Sequence, residues 1–175
     1  MQSAGLAYVS ATERGESDAL LAAVARALAG PHRLCGVVQI NTEYDPDRPC
    51  HMDLAVLGTG SVIRISQFLG AGSSGCRLDP AGLETAVGLV AATMQQQAPD
   101  LVILNKFGKH EAEGRGFRPL IGQALVMGVP VLTAVSALNL PRFLDFADGM
   151  ATGLRAESGA VLDWFQAVHQ TVAGG

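Results

Sequence analysis

The stretch Leu101–Gly116 reads LVILNKFGKHEAEGRG. It opens with a short, wholly apolar run, the pattern of a strand buried on both faces, and turns polar and glycine-rich at Asn105. A buried strand that runs straight into a charged, shaped loop is what a parallel sheet shows at the edge where ligands bind. Both lysines of the 175-residue chain, Lys106 and Lys109, fall in this loop, and every other basic side chain apart from the histidines is arginine.

Reading outward, further apolar runs are expected as strands: Leu6–Ser10, Leu34–Ile40, Asp100–Leu104 and Val129–Val135. Helices are expected between and after them. The first covers Ala19–Ala29, capped by Ser17 or Asp18 and stopped by Gly30-Pro31. Others run from Asp79-Pro80 to Gln97, over Arg118–Met127, over Leu140–Ala147 and over Ala156–Val172. Met52–Leu57 and Ser61–Ser66, joined at Gly58-Thr59-Gly60, carry a hairpin signal. The expected fold is therefore α/β, in three layers: a mostly parallel sheet with helices on both faces and a β-hairpin insertion. Residues 1–175 are expected to form a single domain.

Composition narrows the function classes. Charged residues are 16% and the net charge is −4, a poor basis for nucleic-acid binding. No apolar run is long enough to span a membrane, and the first fifteen residues lack the pattern of a signal peptide, so a cytoplasmic protein without a membrane partner is expected. Three cysteines, Cys35, Cys50 and Cys76, include no CxxC pair and make no disulfide framework; Cys35 reads as core. Few surface charges leave a homo-oligomer open.

Two loops carry the candidate chemistry. Strand, loop and helix at Ala11-Thr-Glu-Arg-Gly-Glu-Ser-Asp18 have the layout of a phosphate-binding P-loop. The working motif needs a lysine and then a hydroxyl, and Ser17 and Asp18 occupy those positions. An ordinary strand-to-helix turn is the competing reading. In the loop after Leu104, a nucleotide hydrolase would place acids, to hold Mg²⁺ and orient water. Here stand Asn105 and Lys106, followed by Lys109 and Arg115, with Gly108, Gly114 and Gly116 allowing close backbone approach. The competing reading is a solvated loop whose lysines pair with Glu111 and Glu113.

At this point the order of elements and the run NKFGKHE resemble the Walker B region of small P-loop nucleoside-triphosphatases. On that resemblance Asn105 falls on the metal-binding aspartate and Lys106 on the catalytic glutamate, which implies that the Walker A lysine and the Walker B acids are absent. The chain as a whole resembles a bacterial P-loop NTPase-like domain family encoded near molybdate transporter genes, with degenerate Walker motifs. The resemblance is carried by Gln39-Ile-Asn-Thr-Glu43, Cys50-His-Met-Asp-Leu54, Gly70–Pro80, Asn105–Phe117 and Gly128–Leu140. It implies a role in molybdenum or tungsten handling.

The glycine- and serine-rich segment ending in Arg77 adds Ser73, Ser74 and Gly75, a second cradle for a tetrahedral anion or simply a flexible loop. Ser136, with Thr133 and Asn139, stands at the end of another strand and either binds an anion or caps the next helix. Cys50-His51 alone is too little for a metal site, and no catalytic residue is assigned. The first reading is an anion-binding protein that stores, buffers or senses molybdate or tungstate. Its expected site is Lys106, Lys109, Arg115 and Arg77, shaped by Ser73, Ser74, Gly75, Gly108, Asn105 and Ser136. The alternative is a nucleotide-binding protein or NTP hydrolase, with Mg²⁺, using an altered P-loop.

Overall fold

The computed structural model of the chain describes residues 5–42, 51–67 and 77–174. Along them run β1 (Leu6–Val9), α1 (Glu16–Leu28), β2 (Leu34–Thr42), β3 (His51–Val56), β4 (Val62–Arg64), β5 (Ser66–Gln67), β6 (Arg77–Leu78) and α2 (Pro80–Gln96). There follow β7 (Leu101–Leu104), α3 (Lys109–Ala112), α4 (Arg118–Val126), β8 (Val131–Ala134), α5 (Leu140–Ala147), β9 (Ala151–Leu154) and α6 (Ser158–Ala173). Seven strands form one sheet in the order β4-β3-β2-β7-β8-β1-β9. Its last five members are parallel, and the hairpin β3–β4 adds the antiparallel edge beside β2.

Alternation along the central strands divides the core in two. Leu6, Val102, Leu104 and Val131 face α2, α4 and α5, where Leu83, Val90, Ile121 and Phe143 meet them. Ala7, Val9, Leu101, Ile103 and Leu132 face α1 and α6, whose Leu21, Val24, Leu28, Val161 and Phe165 cover them. Both faces are therefore apolar along the same strand, which is why β7 reads LVIL without a polar break. Each such Leu or Val contributes about 1.5–3 kcal/mol by leaving water. Cys35 belongs to this core, and burial pushes its thiol up to about 11.

One glycine is dictated by strand pairing. Gly36 has φ 112°, and a Cβ there would stand 1.9 Å from the Ile103 carbonyl oxygen, so β2 and β7 come together only through it.

Several expectations shift. The first helix begins at Glu16 behind Gly15, which has φ 80°, and neither Ser17 nor Asp18 caps it. Asp79 does cap α2, accepting the Ala81 N–H at 3.1 Å. The loop after β7 contains a single helical turn, α3, where an irregular loop was expected. Strand β9 was not foreseen, because ATGL on an exposed edge forms no apolar run. His32 and His169 are half-buried against Phe165, with ring centroids 4.9 and 5.2 Å from it. Among the described residues no helix is long and apolar enough to cross a membrane.

Candidate functional site

The carboxyl ends of the parallel strands bring three segments together: the loop after β1, the end of β2 and the loop after β7. The first turn of α1 follows directly from the β1 loop and carries Glu16 and Asp18. Asp18 is turned inward and is 6% exposed. Burying a carboxylate is costly unless its lone pairs are met by donors. Here Asn105 Nδ2 donates to Oδ1 at 2.7 Å, and Asn41 Nδ2 donates to Oδ2 at 2.6 Å. Lys106 Nζ lies 3.8 Å from Oδ1.

The amide groups of this network are fixed in orientation. Asn105 Oδ1 accepts the backbone N–H of Gln39 at 2.7 Å, so its NH₂ must face Asp18. Gln39 Nε2 donates to Asn41 Oδ1 at 2.7 Å, which turns the Asn41 NH₂ to Asp18 as well. No buried side-chain nitrogen or oxygen among the described residues is left without a partner. Gln39 and Asn41 stand two apart at the end of β2, on one face of the sheet.

The lysine loop is anchored between its two lysines. Phe107 is buried, its N–H donates to the Ala134 carbonyl at 2.9 Å, and its ring packs on Phe143 and Phe146 of α5 at 5.1 and 5.6 Å. Lys106 and Lys109 on either side remain exposed. Beyond them Glu111 points inward. Its Oε1 accepts the Gly108 N–H and its Oε2 the Phe117 N–H, each at 3.0 Å. Burial holds its carboxyl above the usual carboxylate range, against the opposing pull of those backbone donors. Gly116, with φ 59°, lies so close that a Cβ would stand 1.7 Å from Glu111 Oε2.

These positions correct part of the expected set. Lys106 pairs with Asp18, not with Glu111 or Glu113. Lys109 forms no ion pair among the described residues. The Gly108 amide is occupied by Glu111 and is not available to a ligand. Asn105 offers its NH₂ to Asp18 and is 2% exposed, so it braces the site from behind. Arg115 is exposed and pairs with Glu113, whose carboxyl it holds below the usual range. Arg77 is exposed on the small β5–β6 ribbon, paired in register with Gln67. Ser136 Oγ is turned to Asn139, accepting its backbone N–H at 3.4 Å and its side-chain N–H at 3.3 Å. Thr133 is fully buried. Ser73, Ser74, Gly75, Cys50 and Cys76 lie outside the described residues. Among the described residues no group of three His, Cys, Asp or Glu side chains is arranged to hold a metal ion.

Sequence reasoning missed the centre of the site. The sequence offers Asp18 as a cap of α1 or as the residue at the P-loop hydroxyl position, and Gln39 and Asn41 only as part of a resemblance. The available signal was the break at Gln39 and Asn41 in an otherwise apolar strand.

The sheet and its helical layers have a P-loop NTPase-like fold. The chain belongs to the family described as "Protein of unknown function (DUF2478)", whose model matches residues 6–164. It is 38% identical over 150 residues to the molybdenum import ATP-binding protein ModC 2 of Bradyrhizobium diazoefficiens. That match covers 85% of this chain, which spans only 17% of the relative's length. The fold is similar to the crystal structure of THEP1 from the hyperthermophile Aquifex aeolicus, with a TM-score of 0.60 and 14% identity, over 94% of this chain and 96% of that one.

Proposed function

We propose that this domain binds the phosphate chain of a nucleotide at the carboxyl edge of its sheet, as a binding or sensing module in molybdenum import. The observation that carries the reading is the contact of Lys106 with Asp18. It closes the loop after β7 onto the first turn of α1, so a strand-loop-helix of P-loop layout and an exposed ammonium meet at one point. Lys109 adds a second exposed ammonium from the same loop. The name of the relative from B. diazoefficiens supports both the nucleotide and the molybdenum context. The two buried carboxylates are already engaged: Asp18 is enclosed by donors and Glu111 holds backbone amides.

A second reading rests on the same two ammonium groups and on the import context: the anion is molybdate or tungstate itself. Calorimetric titration with ATP and GTP, beside molybdate and tungstate, separates the two. Nucleotide binding that is lost in Lys106→Ala, Lys109→Ala supports the first reading. Oxoanion binding with silent nucleotides replaces it with the second, and no binding of either class refutes both.

A further inference from the structure

P-loop hydrolases hold Mg²⁺ between a hydroxyl at the start of the helix and a carboxylate at the end of the neighbouring strand. Asp18 and Asn105 occupy those two places here. A divalent cation of this kind needs several oxygens converging on one point. The structure directs hydrogens there instead. Asn105 Nδ2 and Asn41 Nδ2 both point at Asp18, at 2.7 and 2.6 Å, and Lys106 Nζ stands 3.8 Å from Asp18 Oδ1. Asn105 cannot turn its oxygen outward, because Oδ1 accepts the Gln39 N–H at 2.7 Å, and a flip would set an NH₂ against that donor. A divalent ion would meet two amide NH₂ groups and an ammonium around a single carboxylate. The residues do not fit it.

We infer that Lys106 is the resident cation of this site, standing where a hydrolase holds Mg²⁺, so that the anionic ligand binds without a divalent metal. The inference rests on the phosphate-binding reading above for its ligand, but its metal half stands on the geometry alone. The Lys106 side chain suits the role. It is 55% exposed while the Asp18 side chain is 8% exposed, so the ammonium leans on a buried carboxylate and keeps an outer flank open to a ligand. Divalent metal on the ligand also lowers the negative charge that Lys106 and Lys109 attract.

Two measurements on the full chain test this. In the first, ATP is titrated calorimetrically into the wild type in EDTA and again in Mg²⁺. In the second, Mn²⁺ is titrated without nucleotide and followed by electron paramagnetic resonance, on the wild type, Lys106→Gln and Lys106→Glu. The expected results are ATP binding at least as tight in EDTA as in Mg²⁺, no Mn²⁺ uptake by the wild type, and Mn²⁺ uptake by Lys106→Glu, where two carboxylates then face each other. Lys106→Gln, folded and silent to Mn²⁺, serves as the neutral control. ATP binding that requires Mg²⁺ overturns the inference and leaves the nucleotide reading standing. ATP that binds in neither condition refutes the nucleotide reading, and the Mn²⁺ arm then decides: uptake by the wild type, or none by Lys106→Glu, overturns the resident cation, and the reverse pattern upholds it.

Discussion

Asn105 and Asp18 are 87 residues apart in sequence, and their side chains meet at 2.7 Å in the interior. This hydrogen bond ties the end of β7 to the first turn of α1. It is one of two amide donors that make burial of the Asp18 charge tolerable, with Lys106 completing the set.

Removing the acid and removing the lysine should therefore have unequal costs. Asp18→Ala leaves the buried NH₂ of Asn105 without its main acceptor, while the exposed Asn41 can turn to water, and loses about 2–4 kcal/mol of stability. Lys106→Ala removes a partner that is half in water, and Asp18 keeps its two amide donors, so the loss is about 1 kcal/mol or less. Urea denaturation of the two variants checks the order. Equal losses would mean that the ion pair, not the amide network, holds the carboxylate.

Glu111 gives the stability a pH dependence of definite sign. Its folded carboxyl titrates above the ordinary value of 4.5, because burial disfavours the charge more than the Gly108 and Phe117 amides favour it. A raised folded pKa means that its contribution is fully present below the unfolded value and is lost as pH rises through the folded one. Wild-type stability should decline upward from about pH 4.5 by a component that is missing in Glu111→Gln. His110 tempers the shift, and Glu84, which accepts the Gly116 N–H at 3.2 Å, is the neighbouring carboxylate to keep unchanged. Denaturation midpoints for both proteins across pH 4–7 measure the difference. Parallel curves would sink the assignment.

Glycine positions separate into two kinds. At Gly36 and Gly116 the backbone has φ 112° and 59°, and a Cβ would collide with the Ile103 carbonyl at 1.9 Å or with Glu111 Oε2 at 1.7 Å. Alanine at either should cost more than about 3 kcal/mol, from strain and displacement together. Gly122 lies on the exposed side of α4 with open space around it, and Gly122→Ala should stabilise by about 0.5–1 kcal/mol. Thermal melts of the three variants suffice, and the opposite sign at Gly122 would be the informative failure.

What the sequence made legible follows from which interactions are local. β7 and β8 were readable because both faces of each are covered, so every side chain but Thr133 is apolar. The lysines were readable as exposed charge just past a buried strand. Their surroundings were not, because the partner of Lys106 comes from the first turn of α1 and Glu111, two residues from the exposed Lys109, turns inward. A carboxylate in a charged stretch gives no sign of whether it faces water or backbone amides. β9 was missed for a related reason: it is held by its ladder to β1, a contact that leaves no trace in the composition of ATGL.

Phe107 gives the last prediction, because it joins core and site in one side chain. Phe107 is 1% exposed and its ring packs on Phe143 and Phe146, while Lys106 directly precedes it and Lys109 follows two residues on. Phe107→Ala empties that space and should cost about 3–5 kcal/mol. Phe107→Leu keeps most of the volume and should cost about 1–2 kcal/mol. If the ring also sets where the two ammonium groups stand, anion affinity should fall in Phe107→Leu although the protein is folded and both lysines remain. Calorimetry on Phe107→Leu, at a temperature where denaturation curves show it fully folded, is the measurement. Unchanged affinity would confine Phe107 to the core and leave the Lys106–Asp18 contact as the element that positions the loop.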